Sequence, residues 1–381
     1  MHYYIKADQF LLENDMKKDA YVLVKDGKFG AFCTELPSSA VVYDFGDSII
    51  APGLFDTHIH GVAGFDVMDG TTEAMRAISE SLLSLGVTRF LPTTLTSDSH
   101  ALKTAIFAIK EAVASGLPGA QSAGIFLEGP YFTEKHKGAQ NADYFRDPSV
   151  EEFFNWQELA GGQIVKIALA PERKNANHFI DTVTKSGVSV GIAHTSATYD
   201  ECQHAIGSGA NMFIHLFNGM SGLHHREPGA VGAAMTHPNV FSELICDGHH
   251  VHPDVAKLVY QIKQNKVVLI TDCMRAGMMP DGEYYLGDFL TKIKDGIART
   301  DSGSLAGSTL QLKDGVHNFY QWSGMPLHKI WHLASLSPAE SIGQASDYGS
   351  IAPGKVADYV VLHQDLTIKA TAIAGEIKYQ V

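Results

Sequence analysis

Eight short apolar segments, separated by windows of helical periodicity, constrain the fold of this chain more than any other feature. The segments are rich in Ile, Val, Leu and Phe and almost continuously hydrophobic, as expected for parallel strands buried on both faces. They are Ser48–His58, Val87–Leu95, Ala123–Glu128, Ile164–Ala170, Val188–His194, Met212–Phe217, Ser242–Cys246 and Val267–Thr271. Between them, Thr71–Ser84, His100–Ala114 and Pro253–Gln264 carry apolar residues at helical spacing.

This alternation predicts an α/β protein with a (β/α)8 TIM-like barrel. A doubly wound open sheet is the alternative, and it is disfavoured because no Gly-x-Gly-x-x-Gly follows the first strand. The two ends of the chain contain short strand-like segments and turns instead. We therefore expect residues 1–50 and 346–381 to form one small β-sandwich domain, and residues 51–345 to form the barrel.

The bulk properties exclude several classes of partner. A net charge of −13 would repel nucleic acid and anionic membranes. The N-terminus lacks the basic and apolar regions of a signal peptide, and no apolar run approaches the length of a membrane span. The four cysteines, Cys33, Cys202, Cys246 and Cys273, are far apart, which does not resemble a disulfide framework. A cytoplasmic enzyme acting on a small molecule is the expectation.

Polar residues follow the apolar run of five predicted strands. In a barrel of this kind the C-terminal ends of the strands carry the active site, so these side chains should converge. They are His58, His60, Glu128, His194, His215 and Asp272. His58 and His60 are two residues apart, which places both imidazoles on one face of a strand. A single buried histidine is more often structural, but six such residues at strand ends favour a metal site.

Imidazole and carboxylate ligands suit zinc, iron(II), manganese or cobalt. A mixed set with open positions indicates a catalytic site, in which the metal lowers the pKa of water and a nearby carboxylate acts as general base. Asp272 is the candidate for that base. After the sixth strand, Arg226 offers a rigid donor for phosphate, and His250 after the seventh can assist. Alternatively, Arg226 pairs with Glu227 on a solvated loop.

Several motifs resemble a known family. Residues 52–61, Pro-Gly-Leu-Phe-Asp-Thr-His-Ile-His-Gly, resemble the first-strand signature of the amidohydrolase superfamily, and residues 351–358 resemble its C-terminal hallmark. Residues 127–130, 215–220, 224–229, 247–251 and 269–272 resemble the N-acetylglucosamine-6-phosphate deacetylases within it. This resemblance implies hydrolysis of the N-acetyl group of N-acetylglucosamine 6-phosphate to glucosamine 6-phosphate and acetate, in amino-sugar catabolism and cell-wall sugar recycling.

The resemblance also implies roles for individual residues. Glu128, His194 and His215 would hold the metal common to the family, His58 and His60 a second ion, and Asp272 would act as general base and acid. The implied substrate contacts are Ala139, Gln140, Asn218, Gly219, Arg226, His250, Leu305, Ala306 and Gly307. Members are usually homodimers with the site near the interface, so Arg226 could serve either its own or the neighbouring subunit.

Two positions depart from the family pattern. Gly219 stands in place of an alanine, which should be tolerable if the contact is through the backbone. Gln140 stands where some members have a histidine that can polarise the acetyl carbonyl. Two rival functions stay open: an amidohydrolase that uses a carboxylated lysine, for which Lys166 lies too early in its strand, and a catalytically inactive scaffold that binds sugar phosphate or a protein.

Overall fold

The computed structural model describes residues 2–301 and 303–381. In chain order its strands are β1 (His2–Lys6), β2 (Gln9–Leu11), β3 (Met16–Lys18), β4 (Tyr21–Lys25), β5 (Lys28–Cys33), β6 (Val42–Asp44), β7 (Ile49–Pro52), β8 (Leu54–Ile59), β9 (Gly61–Val62), β10 (Phe65–Asp66), β11 (Val87–Thr94), β12 (Gln121–Ser122), β13 (Ile125–Tyr131), β14 (Ile164–Leu169), β15 (Ser189–Ile192), β16 (Met212–Phe213), β17 (Phe241–Ile245), β18 (Val267–Ile270), β19 (Gly282–Leu286), β20 (Phe289–Lys294), β21 (Ile297–Thr300), β22 (Tyr359–Leu362), β23 (Ile368–Ile373) and β24 (Glu376–Gln380). Its helices are α1 (Thr72–Leu83), α2 (Ser99–Ala114), α3 (Val150–Leu159), α4 (Ala176–Thr184), α5 (Tyr199–Gly207), α6 (Gly229–Thr236), α7 (Pro253–Lys263), α8 (Leu312–Ser323), α9 (Leu327–His332) and α10 (Leu336–Ser341).

The predicted (β/α)8 barrel is confirmed. Strands β8, β11 and β13 to β18 pair in parallel, each with the next. The circle closes between the last strand and the first, where the Asp272 amide donates to the His58 carbonyl at 2.9 Å and Ile59 bridges Cys273 in parallel. Apolar side chains from these strands, among them Phe55 and Phe126, fill the barrel interior. The C-terminal ends of all eight strands therefore open on one face.

The two ends of the chain form the expected small β-domain. One sheet has the order β5-β4-β1-β6 and the other β24-β23-β22-β7-β2-β3, so the second sheet joins N-terminal and C-terminal strands. Buried residues from both sheets, such as Ile5, Val22, Phe10 and Val361, pack into a single apolar cluster between them. This packing is that of a sandwich.

The first predicted strand was wrong as a single element. Residues 48–58 instead form β7 in the sandwich and β8 in the barrel, with a break at Gly53. The Gly53 amide leaves the barrel ladder to bond the Asp358 carbonyl at 3.0 Å, and a Cβ there would lie 2.2 Å from Oγ1 of Thr88. The chain therefore passes between the two domains at a residue with no side chain.

Six of the other strands lie within three residues of their predicted bounds, and the three helices start and stop within a residue of the predicted windows. For example, Thr71 caps α1 by accepting from the Ala74 amide at 3.2 Å. The sixth strand, predicted over Met212–Phe217, was too long: β16 ends at Phe213, and His215 and Phe217 have positive φ. An unpredicted three-stranded sheet, β19 to β21, lies between β18 and α8. Its residue Leu286 reaches the cavity described below. No helix among the described residues has the length and apolar character needed to span a bilayer.

Candidate active site

The five predicted metal ligands and the predicted general base, Asp272, converge on one point at the C-terminal face of the barrel. Their ligand atoms form two groups, each within 4.8 Å: one of His58, His60 and Asp272, the other of Glu128, His194 and His215. Glu128 lies between them. Its Oε1 is 3.2 Å from His215 Nε2, 3.3 Å from His194 Nε2 and 3.5 Å from His58 Nε2. Its other oxygen, Oε2, is 3.3 Å from His60 Nε2.

These spacings fit divalent metal ions. Ligands about 2.0–2.1 Å from a tetrahedral ion lie about 3.3 Å from one another, and His194 Nε2 and His215 Nε2 are 3.2 Å apart. Asp272 Oδ1 is 3.4 Å from His58 Nε2 and 3.2 Å from His60 Nε2. The buried Nε2 of His58 has no hydrogen-bond partner among the described residues. A bare imidazole nitrogen aimed at two carboxylates is what a metal ligand requires.

Each histidine ring is held by its other nitrogen. Nδ1 of His60 donates to the Thr93 carbonyl at 3.1 Å, Nδ1 of His194 to the His136 carbonyl at 3.0 Å, and Nδ1 of His215 to the Asn218 carbonyl at 3.0 Å. Carbonyl oxygens only accept, so the proton lies on Nδ1 and the lone pair of each ring is on Nε2. The protein thus fixes the tautomer suited to binding a cation.

The backbone at three of these residues is unusual. His194, His215 and Asp272 have φ of +42°, +30° and +50°, the left-handed region that non-glycine residues rarely adopt. Each lies just past the end of a strand, where the chain turns over the face of the barrel. Such conformations persist where the surrounding structure holds them and are concentrated at functional sites. Here the turn aims each side chain at the barrel axis.

Both carboxylates are ionised in this setting. Burial alone would raise the pKa of Glu128, but His58, His194, His215 and His60 outweigh it and hold the pKa well below its ordinary value. Burial likewise opposes the ionisation of Asp272, and the imidazoles of His58 and His60 outweigh it and lower the pKa. Both groups are therefore available as anionic ligands or proton acceptors.

A cavity of about 410 Å³ opens onto the ligand cluster. Of the predicted substrate contacts, it is lined by Ala139, Gln140, Asn218, Gly219, His250, Leu305 and Gly307. Arg226 and Ala306 are not among its lining residues. Ala306 is buried beside Leu95 and Met274. Arg226 is exposed on the loop before α6, where it forms no ion pair with any described residue. The alternative pairing of Arg226 with Glu227 is thus not seen.

Three predicted contacts have further partners. Gln140 donates from Nε2 to Oε2 of Glu128 at 2.7 Å and accepts from the Thr96 amide at 2.9 Å. Nδ1 of His250 donates to Oδ2 of Asp247 at 2.6 Å. Gly219 has φ of +58°, and a Cβ there would lie 2.8 Å from Nδ1 of His194. The glycine that departs from the family pattern therefore suits this position, because it adopts the positive φ and leaves room for the His194 ring beside it.

Sequence reasoning missed one acidic residue near the ligands. Glu243, on β17, accepts from Nδ1 of His58 at 3.0 Å and forms an ion pair with Lys166 on β14. The sequence did contain a signal for this pair, because Lys166 and Glu243 are each the one charged residue of a mainly apolar strand. Nζ of Lys166 is engaged by Glu243 and by the Thr57 carbonyl at 3.1 Å. This arrangement disfavours the rival chemistry in which a carboxylated lysine bridges two metals.

Comparison with known proteins agrees with this geometry. The model of the amidohydrolase family matches residues 49–378, and the chain belongs to that family. The curated N-acetylglucosamine-6-phosphate deacetylase of Vibrio furnissii is 42% identical over 330 residues, which are 87% of this chain and 83% of the relative. The N-acetylgalactosamine-6-phosphate deacetylase of Escherichia coli O157:H7 is 37% identical over 377 residues, or 99% of each chain.

A solved structure extends the comparison to the whole fold. A variant of N-acetyl-D-glucosamine-6-phosphate deacetylase from Mycobacterium smegmatis, in complex with N-acetyl-D-glucosamine-6-phosphate, superposes with a TM-score of 0.93. The identity is 29%, and the match covers 100% of both chains. The family resemblance predicted from the motifs is confirmed, and it extends over both the barrel and the terminal β-domain.

Proposed function

We propose that this chain hydrolyses the N-acetyl group of N-acetylglucosamine 6-phosphate, releasing glucosamine 6-phosphate and acetate. The observation that carries the proposal is the position of Asp272, which belongs to one ligand group, lies 3.2 Å from His60 Nε2 and lines the cavity. Deacetylases of phosphorylated amino sugars among the relatives support the same reaction.

The residues present suit one or two divalent ions. Zinc, iron, manganese and cobalt all accept nitrogen and oxygen ligands of this kind. Glu128, His194 and His215 would hold one ion, and His58 and His60 with Asp272 a second. Such an ion, when bound, polarises a carbonyl oxygen and makes water more acidic.

Asp272 would move the proton in this reaction. Its carboxylate takes a proton from the attacking water while the water oxygen bonds to the acetamide carbon. It then gives that proton to the sugar nitrogen as the carbon–nitrogen bond breaks, so that the amine departs neutral. The other product is acetic acid, which retains the water oxygen and becomes acetate by losing its remaining proton to solvent. The side chain keeps 13% of its surface exposed, which leaves it accessible from the cavity.

The cavity wall would position the sugar. His250 is held through Nδ1 by Asp247, and the ring in its doubly protonated form would donate from Nε2 to a phosphate oxygen. Asn218, Gly219, Ala139 and Leu305 would contact the sugar ring and acetyl group. Binding energy from a remote phosphate fixes the acetamide at the reacting centre.

Arg226 would complete the phosphate site of a neighbouring subunit in a homodimer. Its exposed position outside the cavity of its own chain supports that assignment over one within the subunit. We further propose a cytoplasmic location. It is supported by Cys33, Cys202, Cys246 and Cys273, all free thiols.

The test is acetate release from the two epimers, N-acetylglucosamine 6-phosphate and N-acetylgalactosamine 6-phosphate, and from unphosphorylated N-acetylglucosamine. We expect the highest kcat/KM on the first. Equal rates on phosphorylated and unphosphorylated sugar would contradict the phosphate site. Faster turnover of N-acetylgalactosamine 6-phosphate would show that this epimer is the substrate, and the proposed reaction, deacetylation, would still stand.

A further inference from the structure

A buried ion pair lies directly beneath the ligand cluster, inside the barrel. Lys166 on β14 and Glu243 on β17 have side chains with no solvent-exposed surface, and their charged groups are in direct contact. Nζ of Lys166 also donates to the Thr57 carbonyl at 3.1 Å and lies 3.9 Å from the centre of the Phe126 ring. The pair therefore connects three strands across the barrel axis.

Such a pair is not explained by stability alone. Removing two charges from water costs several kcal/mol per ion, and well-packed apolar residues of similar volume are often as stable. The neighbouring layer of the barrel is filled with apolar side chains such as Phe55 and Ile270. A second buried lysine, Lys263, donates to the carbonyls of Ala234 and His237 at 2.6 and 3.0 Å and has no carboxylate partner among the described residues.

The contacts of Glu243 point to a role toward the ligands. Its Oε2 accepts from Nδ1 of His58 at 3.0 Å and from the backbone amide of His215 at 3.3 Å. One oxygen thus contacts a ligand of each group. His58 is the one ligand histidine of the four whose Nδ1 is held by a charged side chain, since the other three use backbone carbonyls.

We propose that Glu243 is a positioning residue that orients His58 for metal binding and makes its ring a stronger ligand, and that Lys166 holds the Glu243 carboxylate in place. A carboxylate behind a ligand histidine fixes its tautomer and raises its basicity. The lysine keeps that carboxylate from moving toward the cation, because its other oxygen is already paired. The inference rests on the metal-binding part of the proposed function and deepens it.

The experiment measures metal binding directly. The full chain is stripped with a chelator and titrated with Co²⁺, whose visible absorption reports coordination, in wild type, His58→Ala, Glu243→Gln, Lys166→Met/Glu243→Gln and Lys263→Met. The binding step lost in His58→Ala identifies the ion at that ligand group. We expect Glu243→Gln to weaken this step about a hundredfold, because it leaves the Lys166 cation unpaired beside the site, and the double variant to weaken it about tenfold.

Lys263→Met is the matched control, because it removes a buried lysine remote from the ligands. It should lower Tm and leave the Co²⁺ titration unchanged. A lowered Tm with unchanged Co²⁺ affinity in Glu243→Gln would show that the pair is only structural and would overturn the proposal. If Glu243→Gln does not fold, the charge-neutral double variant decides, and wild-type affinity there overturns it as well.

Two other results are separable from these. A wild-type titration that His58→Ala leaves unchanged would show that His58 is not a ligand, and the proposal would fall. If Co²⁺ affinity falls from wild type to the double variant to Glu243→Gln but the protein releases no acetate, the positioning role of Glu243 stands. That result would refute the proposed deacetylase function.

Discussion

Gln140 and Glu128 are joined by a 2.7 Å hydrogen bond from the amide Nε2 to the carboxylate Oε2, which ties a residue of the cavity wall to the carboxylate between the two ligand groups. The amide oxygen of Gln140 accepts in turn from the Thr96 backbone at 2.9 Å. The amide nitrogen and the amide oxygen of Gln140 are therefore both hydrogen-bonded, and the residue is buried, with 2% of its surface exposed. At this position, where some family members have a histidine that can polarise the acetyl carbonyl, the Gln140 amide bonds the Glu128 carboxylate.

Gln140→Leu should weaken metal binding and lower kcat about tenfold, because loss of a residue that orients a ligand typically costs 10–100-fold. Metal affinity and kcat would be measured on the same preparation. Gln121→Leu is the control, since the amide of Gln121 donates to the Leu117 and Gly119 carbonyls, away from the site. Unchanged metal affinity in Gln140→Leu would contradict an orienting role.

Asp272→Asn should abolish most turnover, with a fall in kcat of about 10²–10⁴ as expected for loss of a general base. The ion held by Glu128, His194 and His215 should remain, because Asp272 is not part of that group. Steady-state kinetics and metal analysis check both points. Complete loss of metal from the folded variant would make Asp272 chiefly a ligand and would remove its assigned role as base.

Asp247→Asn should raise KM for the phosphorylated sugar tenfold or more with little change in kcat. The carboxylate of Asp247 bonds Nδ1 of His250 at 2.6 Å, and a hydrogen bond between charged groups is worth about 1.5–3 kcal/mol. Arg226→Ala should act in the same direction. Both variants should treat unphosphorylated N-acetylglucosamine as wild type does, and an equal KM effect on that sugar would argue against phosphate binding.

His332 should make the fold sensitive to acid. Burial lowers the pKa of His332 to about 4, with the cations of His328 and Lys355 adding to burial and Glu13 opposing it. The unfolded chain takes up this proton below about pH 6.5 and the folded chain only below about pH 4. Stability is therefore unaffected at neutral pH and is lost progressively between these values, by about 3 kcal/mol in total.

His332→Gln should remove this loss. The difference in Tm between variant and wild type, measured from pH 7 to pH 4, should shift in favour of the variant as the pH falls. Glu13→Gln should have the opposite effect on wild type, since it removes the group that favours the protonated ring. Parallel Tm curves for His332→Gln and wild type would contradict a depressed pKa.

The barrel and the convergence of the six polar residues at its strand ends could be predicted from the sequence because both depend on local order. Apolar runs of strand length alternate with helical windows. The C-terminal ends of parallel strands lie on the same face of a barrel whatever the length and conformation of the loops. His58, His60, Glu128 and Asp272 follow such runs directly. The position of these four residues at the ends of barrel strands could therefore be predicted from the sequence alone.

The remainder depends on distant contacts. The Lys166–Glu243 pair joins strands 77 residues apart, and no local pattern states that two charged side chains will meet inside a barrel. The break at Gly53 depends on packing against Thr88. The sheet β19 to β21 follows the last barrel strand, in a segment for which the sequence predicted no element. The position of Arg226 outside its own cavity likewise required the folded loop.

Acetate release from N-acetylglucosamine 6-phosphate, with metal content determined on the same sample before and after chelation, tests the central claim most directly. We expect release that is lost when the chelator removes the metal and restored by a divalent ion, with one or two ions bound per chain. Fully metallated protein that releases no acetate from this sugar phosphate would contradict it.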